Sequence, residues 1–472
     1  MNISPASHPA APFDLTRRLR QWLTPARYSP VAVLIAGFAV MILIGTLLLA
    51  LPWAAADGRS IGLIDALFTA TSAVCVTGLI VKDTPVDFSL FGQITILFLF
   101  QLGGLGYAGS AMLLGLVIGR KFGLRQRMMV KQALNLLSMD GLVKFVRWLI
   151  LCTVLIEGTA ALLLTLRLLQ DLPPLQAAYT GTFLAVSAFN NAGFSLFSDS
   201  LVRYQTDWTV NLIIGAAVVL GGIGFIVLYE LHRYARGMIF RVSVHTKLAI
   251  VSTAVLVLLG GVSLWLLEGN NPNSLAGLGW GGQATVSFFH SVASRTAGFA
   301  TTDIAQFQGA SLYLLILLML IGGCPASTAG GIKTTAVGVM FATVWSIARG
   351  REEVVLFHRR LPFEVVAKAF LLAFMAFGLV TGATLLLLTV ERLDFERFLP
   401  ALFEVASAFG TVGLSTGDGG VLSYSATFDT LGKLVIVAVM FIGRLGPITL
   451  GMIVVARAER LVRYPEEKVL IG

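Results

Sequence analysis

Four short semi-polar segments of this 472-residue chain each carry one glycine flanked by the same residue types. The glycines recur at intervals of 115, 105 and 115 residues, each with a Phe ten residues before it and an Ala five residues before it. Glycine tolerates the positive φ that turns successive carbonyl groups toward one axis. Rings of such carbonyl oxygens replace the hydration shell of potassium in selectivity filters. We therefore predict four filter strands that hold potassium by their carbonyls, at Val76, Thr77, Gly78, Leu79, Asn191, Ala192, Gly193, Phe194, Thr296, Ala297, Gly298, Phe299, Thr411, Val412, Gly413 and Leu414.

The alternative for each segment is an ordinary re-entrant turn that ends on a C-cap glycine. Four copies at a near-constant period favour one supersecondary unit used four times. The shared Ser six residues before the glycine (Ser72, Ser187 and Ser407) is replaced by Val292 in the third copy. Non-helical backbone at membrane depth is tolerated only where protein buries it or where it lines water.

The composition predicts an all-α polytopic membrane protein. Hydrophobic residues make up 56% of the chain and charged residues 12%, against about 25% charged in soluble domains. The cysteines Cys75, Cys152 and Cys324 are isolated, which argues against a metal or redox site. Eight apolar stretches are long enough to cross a bilayer, at 31–51, 90–118, 146–169, 208–231, 248–267, 311–348, 365–390 and 430–456.

The basic residues predict the orientation in the membrane. Most of the 34 Lys and Arg lie in the two tails and in three connections, so these segments face the cytoplasm by the positive-inside rule. The chain is then a multi-pass protein of the cell membrane with both termini cytoplasmic, and its dispersed basic residues do not predict nucleic-acid binding. The expected divisions are a tail at 1–30, pore repeats at 31–118, 119–231 (with a basic linker), 232–348 and 349–456, and a tail at 457–472.

A second repeated element lies in the helix after each predicted filter. It reads LGGLG at 102–106, LGGIG at 220–224, IGGCP at 321–325 and IGRLG at 442–446, so that Arg444 aligns with Gly104, Gly222 and Gly323. Glycines there allow a helix to bend or a neighbour to approach closely. The third copy continues as GGCPASTAGGIKTT at 322–335. We expect a non-helical intramembrane segment there and unbroken helices in the other three copies, the alternative being a cytoplasmic loop anchored by Lys333.

The filter segments, STAGGIKTT and GRLGP resemble the Trk/Ktr superfamily of potassium uptake proteins over nearly the whole chain from residue 31, and the eight-helix Ktr-type membrane subunit in particular. The resemblance implies a pseudo-fourfold pore within one subunit, a homodimer, potassium as the transported ion and sodium as a candidate coupling ion. It also implies a separate cytosolic nucleotide-binding regulatory ring. The gate that it implies comprises Gly322, Gly323, Ser327, Thr328, Ala329, Gly330, Gly331, Lys333 and Arg444. Unlike the TVGYG of potassium channels, each segment here keeps one glycine only.

Other functional classes lack their signals. The chain has neither the regularly spaced arginines of a voltage sensor nor a ring of acidic filter residues. An intramembrane protease motif is absent, so we expect no enzyme activity and no cofactor. A secondary cation transporter or symporter with an ion site at the bilayer midplane remains the alternative, although the four repeats all run the same way. Glu157, an intramembrane carboxylate, has no evident role beyond a speculative pair with Arg295.

Overall fold

The computed structural model describes residues 30–106, 142–351 and 353–446, and these residues are mostly helical, with one short β-hairpin. In chain order the main elements are α1 (Pro30–Leu49), α2 (Leu63–Val74), α3 (Leu90–Leu105), α4 (Leu142–Leu168), α5 (Pro174–Asn190), α6 (Trp208–Gly222), α7 (Phe225–Ala235), α8 (Val244–Glu268), α9 (Trp280–Ala293), α10 (Gly309–Leu320), α11 (Thr334–Ala348), β1 (Val355–Leu356), β2 (Arg359–Arg360), α12 (Phe363–Val390), α13 (Phe398–Gly410) and α14 (Thr430–Leu445). Short helical turns lie at Pro52–Ala54, Thr84–Asp87, Val202–Tyr204, Ile304–Gln306, Phe395–Arg397 and Tyr424–Thr427.

Four short helices, α2, α5, α9 and α13, end immediately before the predicted filter strands. Each packs against the long helix that precedes it, α1, α4, α8 or α12 respectively. The Ala that recurs five residues before each glycine is fully or almost fully buried in all four copies. Its small side chain therefore lets the last turn of each short helix pack closely against its neighbours.

Within the described residues, the helix after each filter strand ends or bends at the repeated motif in all four copies. α3 ends at Leu105 before Gly106 (φ 74°), α6 and α7 meet at a 97° bend at Gly224 (φ 101°), and α14 ends at Leu445 before Gly446 (φ 83°). The expectation of unbroken helices outside the third copy is therefore wrong. The reason is that the last glycine of the LGGLG, LGGIG and IGRLG motifs adopts a positive φ, which terminates a right-handed helix.

Among the described residues, three helices are long and apolar enough to cross a membrane: Lys144–Leu168, Val244–Glu268 and Phe363–Val390. The bent pair α6 and α7 makes a fourth if it is counted as one span. Shorter apolar helices occupy three of the four other predicted spans, at Ile35–Leu49, Leu90–Leu105, and Gly309–Leu320 with Thr334–Ala348, and α14 lies in the fourth.

Candidate functional site

The four predicted filter glycines meet in one ring, in chain order. A Cβ placed on Gly78 would lie 2.6 Å from the carbonyl oxygen of Ala192, and one placed on Gly193 would lie 3.0 Å from that of Ala297. A Cβ placed on Gly298 would overlap the carbonyl oxygen of Val412, and one placed on Gly413 would overlap that of Thr77 in the first strand. Each glycine thus faces the carbonyl one residue before the next glycine, and the fourth strand closes on the first.

The backbone of the four strands follows one pattern. The residue two positions before each glycine has positive φ, as do the glycines themselves: Val76 (58°), Asn191 (58°), Thr296 (76°), Thr411 (50°), Gly78 (91°), Gly193 (71°), Gly298 (73°) and Gly413 (94°). Positive φ is unusual for a non-glycine residue and a true outlier for β-branched Val and Thr. Three β-branched residues held in this conformation indicate that the surrounding structure fixes the backbone of these strands.

The recurrent Ser braces the strands, but not in the same way in every copy. Ser72 Oγ accepts a hydrogen bond from the Gly78 amide at 3.0 Å, and Ser407 Oγ does the same for Gly413 at 3.0 Å. Ser187 instead donates to the carbonyl of Phe194 at 2.8 Å. In the third strand, where Val292 replaces the Ser, the Gly298 amide donates to the Ala293 carbonyl at 3.3 Å.

The side chains of the predicted filter residues point into the protein and not into solvent. Every non-glycine member is at most 1% exposed. Within the described residues the hydroxyl groups of Thr77 and Thr411 form no hydrogen bond, which leaves unpaired oxygen in the first and fourth strands. Unpaired buried oxygen is costly in a protein interior unless a further ligand satisfies it.

All four ring glycines line one open cavity of about 310 Å³, together with residues that follow the filter strands in the chain. Asp83, Asp199 and Asp303 also line it, while Asp199 pairs with Arg203 at 2.8 Å. Burial raises the pKa of the Asp83 carboxyl, against the effect of a hydrogen bond from Ser198 and with a smaller contribution from Asp87. These residues were not among the predicted site residues, although the sequence carries a signal for them: an Asp five or six residues after each ring glycine, Asp418 included.

The predicted gate segment lies between α10 and α11 as non-helical backbone buried in protein. It binds the end of α6 through hydrogen bonds from the Cys324 amide to the Gly222 carbonyl (2.9 Å) and from the Thr328 amide to the Gly221 carbonyl (3.3 Å). A Cβ on Gly330 would overlap the Thr411 side chain, so this part of the segment abuts the fourth filter strand. Gly322, Gly323, Ser327, Ala329 and Gly331 belong to the same buried or half-buried stretch.

Two cationic side chains hold the carbonyls of this segment. Lys333 Nζ donates to the Ala329 carbonyl at 2.7 Å. Arg444 donates to the Thr328 carbonyl with one nitrogen, and to the Gly103 carbonyl with the other, which is also 3.4 Å from the Gly104 carbonyl. Arg444 therefore ties the gate segment to the last turn of α3.

The repeated double glycine permits a close approach, as predicted, at its first member. A Cβ on Gly103, Gly221 or Gly443 would overlap the carbonyl of the residue four before the ring glycine of the same copy, Val74, Phe189 or Phe409. The second glycine packs differently: Gly104 faces Asn190, and Gly323 lies against the Gly222 carbonyl. No pair between Glu157 and Arg295 forms among the described residues, because Glu157 binds the amides of Gln101 and Asn190 instead.

Comparisons with known proteins identify relatives of this chain over nearly its whole length. A family model described as TrkH, cation transport protein, matches residues 14–464. Ktr system potassium uptake protein B of Bacillus subtilis (strain 168) is 39% identical over 446 residues, which are 94% of this chain and 97% of the relative. Potassium/sodium uptake protein NtpJ of Enterococcus hirae is 36% identical over 450 residues, 94% of this chain and 98% of the relative.

The fold has a solved counterpart in the potassium transporter TrkH from Vibrio parahaemolyticus. The TM-score is 0.69 at 20% identity, over 91% of this chain and 86% of that one. The resemblance to the Trk/Ktr superfamily is thus confirmed: this chain belongs to the TrkH family of cation transport proteins and is a membrane protein.

Proposed function

We propose that this chain mediates potassium uptake across the cell membrane, with the ring of Gly78, Gly193, Gly298 and Gly413 as its selectivity filter. The observation that carries the proposal is the closure of the ring in chain order, in which each glycine faces the carbonyl before the next one. A dehydrating cation needs several oxygen ligands at once, and four strands with turned carbonyls can supply them. The unpaired hydroxyls of Thr77 and Thr411 add oxygen to the same region.

The proposal includes a gate and a topology. The segment 322–335 lies under the fourth strand and is held by Lys333 and Arg444, so its displacement opens the path. Each of the eight predicted apolar stretches contains a helix of the described structure, in support of eight crossings, and basic residues favour cytoplasmic termini. By the resemblance, the chain forms a homodimer and binds a cytosolic nucleotide-binding ring.

Flux measurements in proteoliposomes test the proposed function. Purified protein is expected to carry potassium into vesicles down its gradient, and removal of sodium identifies any coupling or activation by that ion. The name of the Enterococcus hirae relative, a potassium/sodium uptake protein, favours including the sodium arm. A folded protein that carries no potassium under either condition contradicts the proposal, and strict one-to-one coupling favours the alternative of a symporter.

The acidic cavity is expected to concentrate cations in front of the ring. Replacing Asp83 and Asp303 together by Asn removes two charges, whereas Asn still caps Ala305 as Asp303 does at 3.0 Å. We expect the apparent KM for potassium to rise about two- to threefold at low ionic strength and less near 0.15 M salt, because salt screens the attraction. Asp57→Asn, at an exposed acidic residue outside the cavity lining, is the control. Equal effects at both salt concentrations contradict the electrostatic role.

The cytoplasmic partner is expected to bind the basic surface around the β1–β2 hairpin. Arg349, Arg351, Arg359 and Arg360 are exposed there, and only Arg360 has an ion pair among the described residues, with Glu353 at 2.9 Å. The predicted continuation of this surface at Arg120, Lys121, Arg125 and Arg127 lies outside the described residues.

Arg359→Glu with Arg360→Glu is expected to reduce capture of a soluble partner from native membranes at least about fivefold, because rim charges set complementarity. Arg59→Glu, an exposed charge on the opposite face in the proposed topology, is the control. Purification of wild-type protein as a lone dimer with full regulated activity contradicts a separate regulator. The basic surface would then bind anionic lipid, with an attraction of about 1 kcal/mol per basic residue.

A further inference from the structure

Glu157 is a buried carboxylate inside α4, a helix long enough to cross the membrane. It is 8% exposed, and within the described residues no Lys or Arg forms an ion pair with it. Its two oxygens accept hydrogen bonds from Gln101 Nε2 at 3.3 Å and Asn190 Nδ2 at 3.0 Å. A carboxylate at this depth is costly, so its presence needs an explanation beyond packing.

The three side chains form a closed triangle in which Glu157 supplies only acceptors. Asn190 Nδ2 also lies 2.6 Å from Gln101 Oε1 and 2.9 Å from the Val186 carbonyl, so its two N–H groups are shared among three acceptors. In this arrangement position 157 offers two acceptors and no donor. A Gln at this position supplies one acceptor and turns its own amide N–H toward another amide N–H.

Asn190 is the member of the triangle that touches the filter backbone. It is the last residue of α5, and it precedes Asn191 (φ 58°) and the ring residue Gly193. On its other side it lies against Gly104, where any Cβ would overlap the Asn190 amide. Helices α3, α4 and α5 are thus joined at the point where the second filter strand begins.

The second strand also lacks the brace that the first and fourth strands use. Ser72 and Ser407 accept from the amides of their ring glycines, whereas Ser187 donates to the carbonyl beyond its ring glycine. The third strand lacks this brace as well, because Val292 replaces the Ser there. In the second strand the carboxylate triangle holds the end of α5 where the brace is absent, which connects Glu157 with the position of the ring.

We propose that Glu157 is a positioning residue for the second filter strand: it fixes Asn190 and thereby the backbone from Asn191 to Gly193. This inference rests on the proposed function and deepens it. Loss of the triangle lets the end of α5 turn, which alters the second quarter of the ring. The expected consequence is a change in potassium affinity and preference that exceeds any change in maximal rate.

Exchanging the carboxylate and the amide between positions 157 and 101 distinguishes a positioning role of Glu157 from a general effect on stability. In Glu157→Gln we expect the KM for potassium to rise about tenfold and the preference over sodium to fall, while the maximal rate stays within about twofold. In the double variant Gln101→Glu with Glu157→Gln the carboxylate moves to α3 and can again accept from both amides. We expect that variant to return to within about threefold of the wild-type KM.

Glu268→Gln is the matched control, because Glu268 is also a buried carboxylate, at the end of α8, but binds Asn271, Ser274 and the Gln308 amide, none of which lines the cavity at the ring. Its ion preference is expected to equal that of the wild type. All variants are assayed in proteoliposomes beside wild-type protein, whose potassium uptake tests the proposed function separately.

An unchanged KM and preference in folded Glu157→Gln overturns the inference. If Glu157→Gln yields no folded protein, the exchanged double variant must restore both folding and potassium affinity, and its failure to do either also overturns the inference. If wild-type protein transports no potassium, the proposed function itself fails.

Discussion

Replacing Gly298 by Ser is expected to raise the KM for potassium between about tenfold and a hundredfold and to lower the preference over sodium. The new Cβ would overlap the Val412 carbonyl and lie 3.1 Å from Gly413 Cα and 3.2 Å from Gly193 Cα. The position also has φ 73°, which a residue with a side chain adopts at a cost. Strain of about 1–3 kcal/mol in a ring that binds the ion corresponds to that change in affinity.

The four ring positions are expected to respond in a defined order. Gly193 has the most room, since the nearest atom to its Cβ is 3.0 Å away, whereas Gly298 and Gly413 both overlap a carbonyl of the next strand. The shift in KM should therefore be smallest for Gly193→Ser. Gly58→Ser is the matched control, because Gly58 has a similar φ of 71° but no atom within 4 Å of its Cβ.

The measurement is potassium uptake against competing sodium in proteoliposomes, with folded protein quantified for every variant. Wild-type affinity and selectivity in all four Ser variants contradict the assignment of the ring as the filter. If Gly58→Ser changes the KM for potassium as much as Gly298→Ser does, the effect comes from strain at positive φ in general and not from the ring.

Much of the ring was predictable because its demands are local. A strand that turns its carbonyls needs glycine at a fixed distance from the end of a helix, and that requirement leaves a spaced pattern in the sequence. The contacts that close the ring were not predictable, because they join residues such as Gly413 and Thr77, which lie more than 300 residues apart in sequence. The left-handed conformation of Val76 and Thr411 was also invisible, since their residue type argues against it.

The helix breaks show where a local signal was misread. Gly106, Gly224 and Gly446 ended motifs that we interpreted only through their double glycines, yet these last glycines terminate the helices. An apolar run hides such a break because hydropathy reports burial in lipid and not backbone conformation. Likewise, charge alone suggested Arg295 as the partner of Glu157, whereas amide groups satisfy that carboxylate.

Arg444→Ala is expected to raise the maximal rate of potassium uptake, by up to about a hundredfold, and to leave filter selectivity nearly unchanged. A fixed positive charge about 5 Å from a passing cation costs about 3 kcal/mol at an effective dielectric constant near 20. The same side chain ties the Thr328 carbonyl of the gate segment to the Gly103 carbonyl of α3, so its loss also frees the segment. The positive charge of Arg444 and its hydrogen bonds to the gate segment act in the same direction, since both limit the flux of potassium below the ring.

Two further variants distinguish the effect of the Arg444 charge from the effect of its hydrogen bonds to the gate segment. Arg444→Lys keeps the charge and can reach one of the two carbonyls, so its rate should stay within about threefold of the wild type if the charge sets the barrier. Arg444→Gln keeps a hydrogen-bond donor without charge and should resemble Arg444→Ala. The readout is initial uptake velocity in cells lacking other potassium systems, normalised to the amount of this protein in the membrane. A folded Arg444→Ala variant with unchanged or lower velocity assigns Arg444 to the scaffold, because neither an electrostatic barrier nor a restraint on the gate segment then limits the flux.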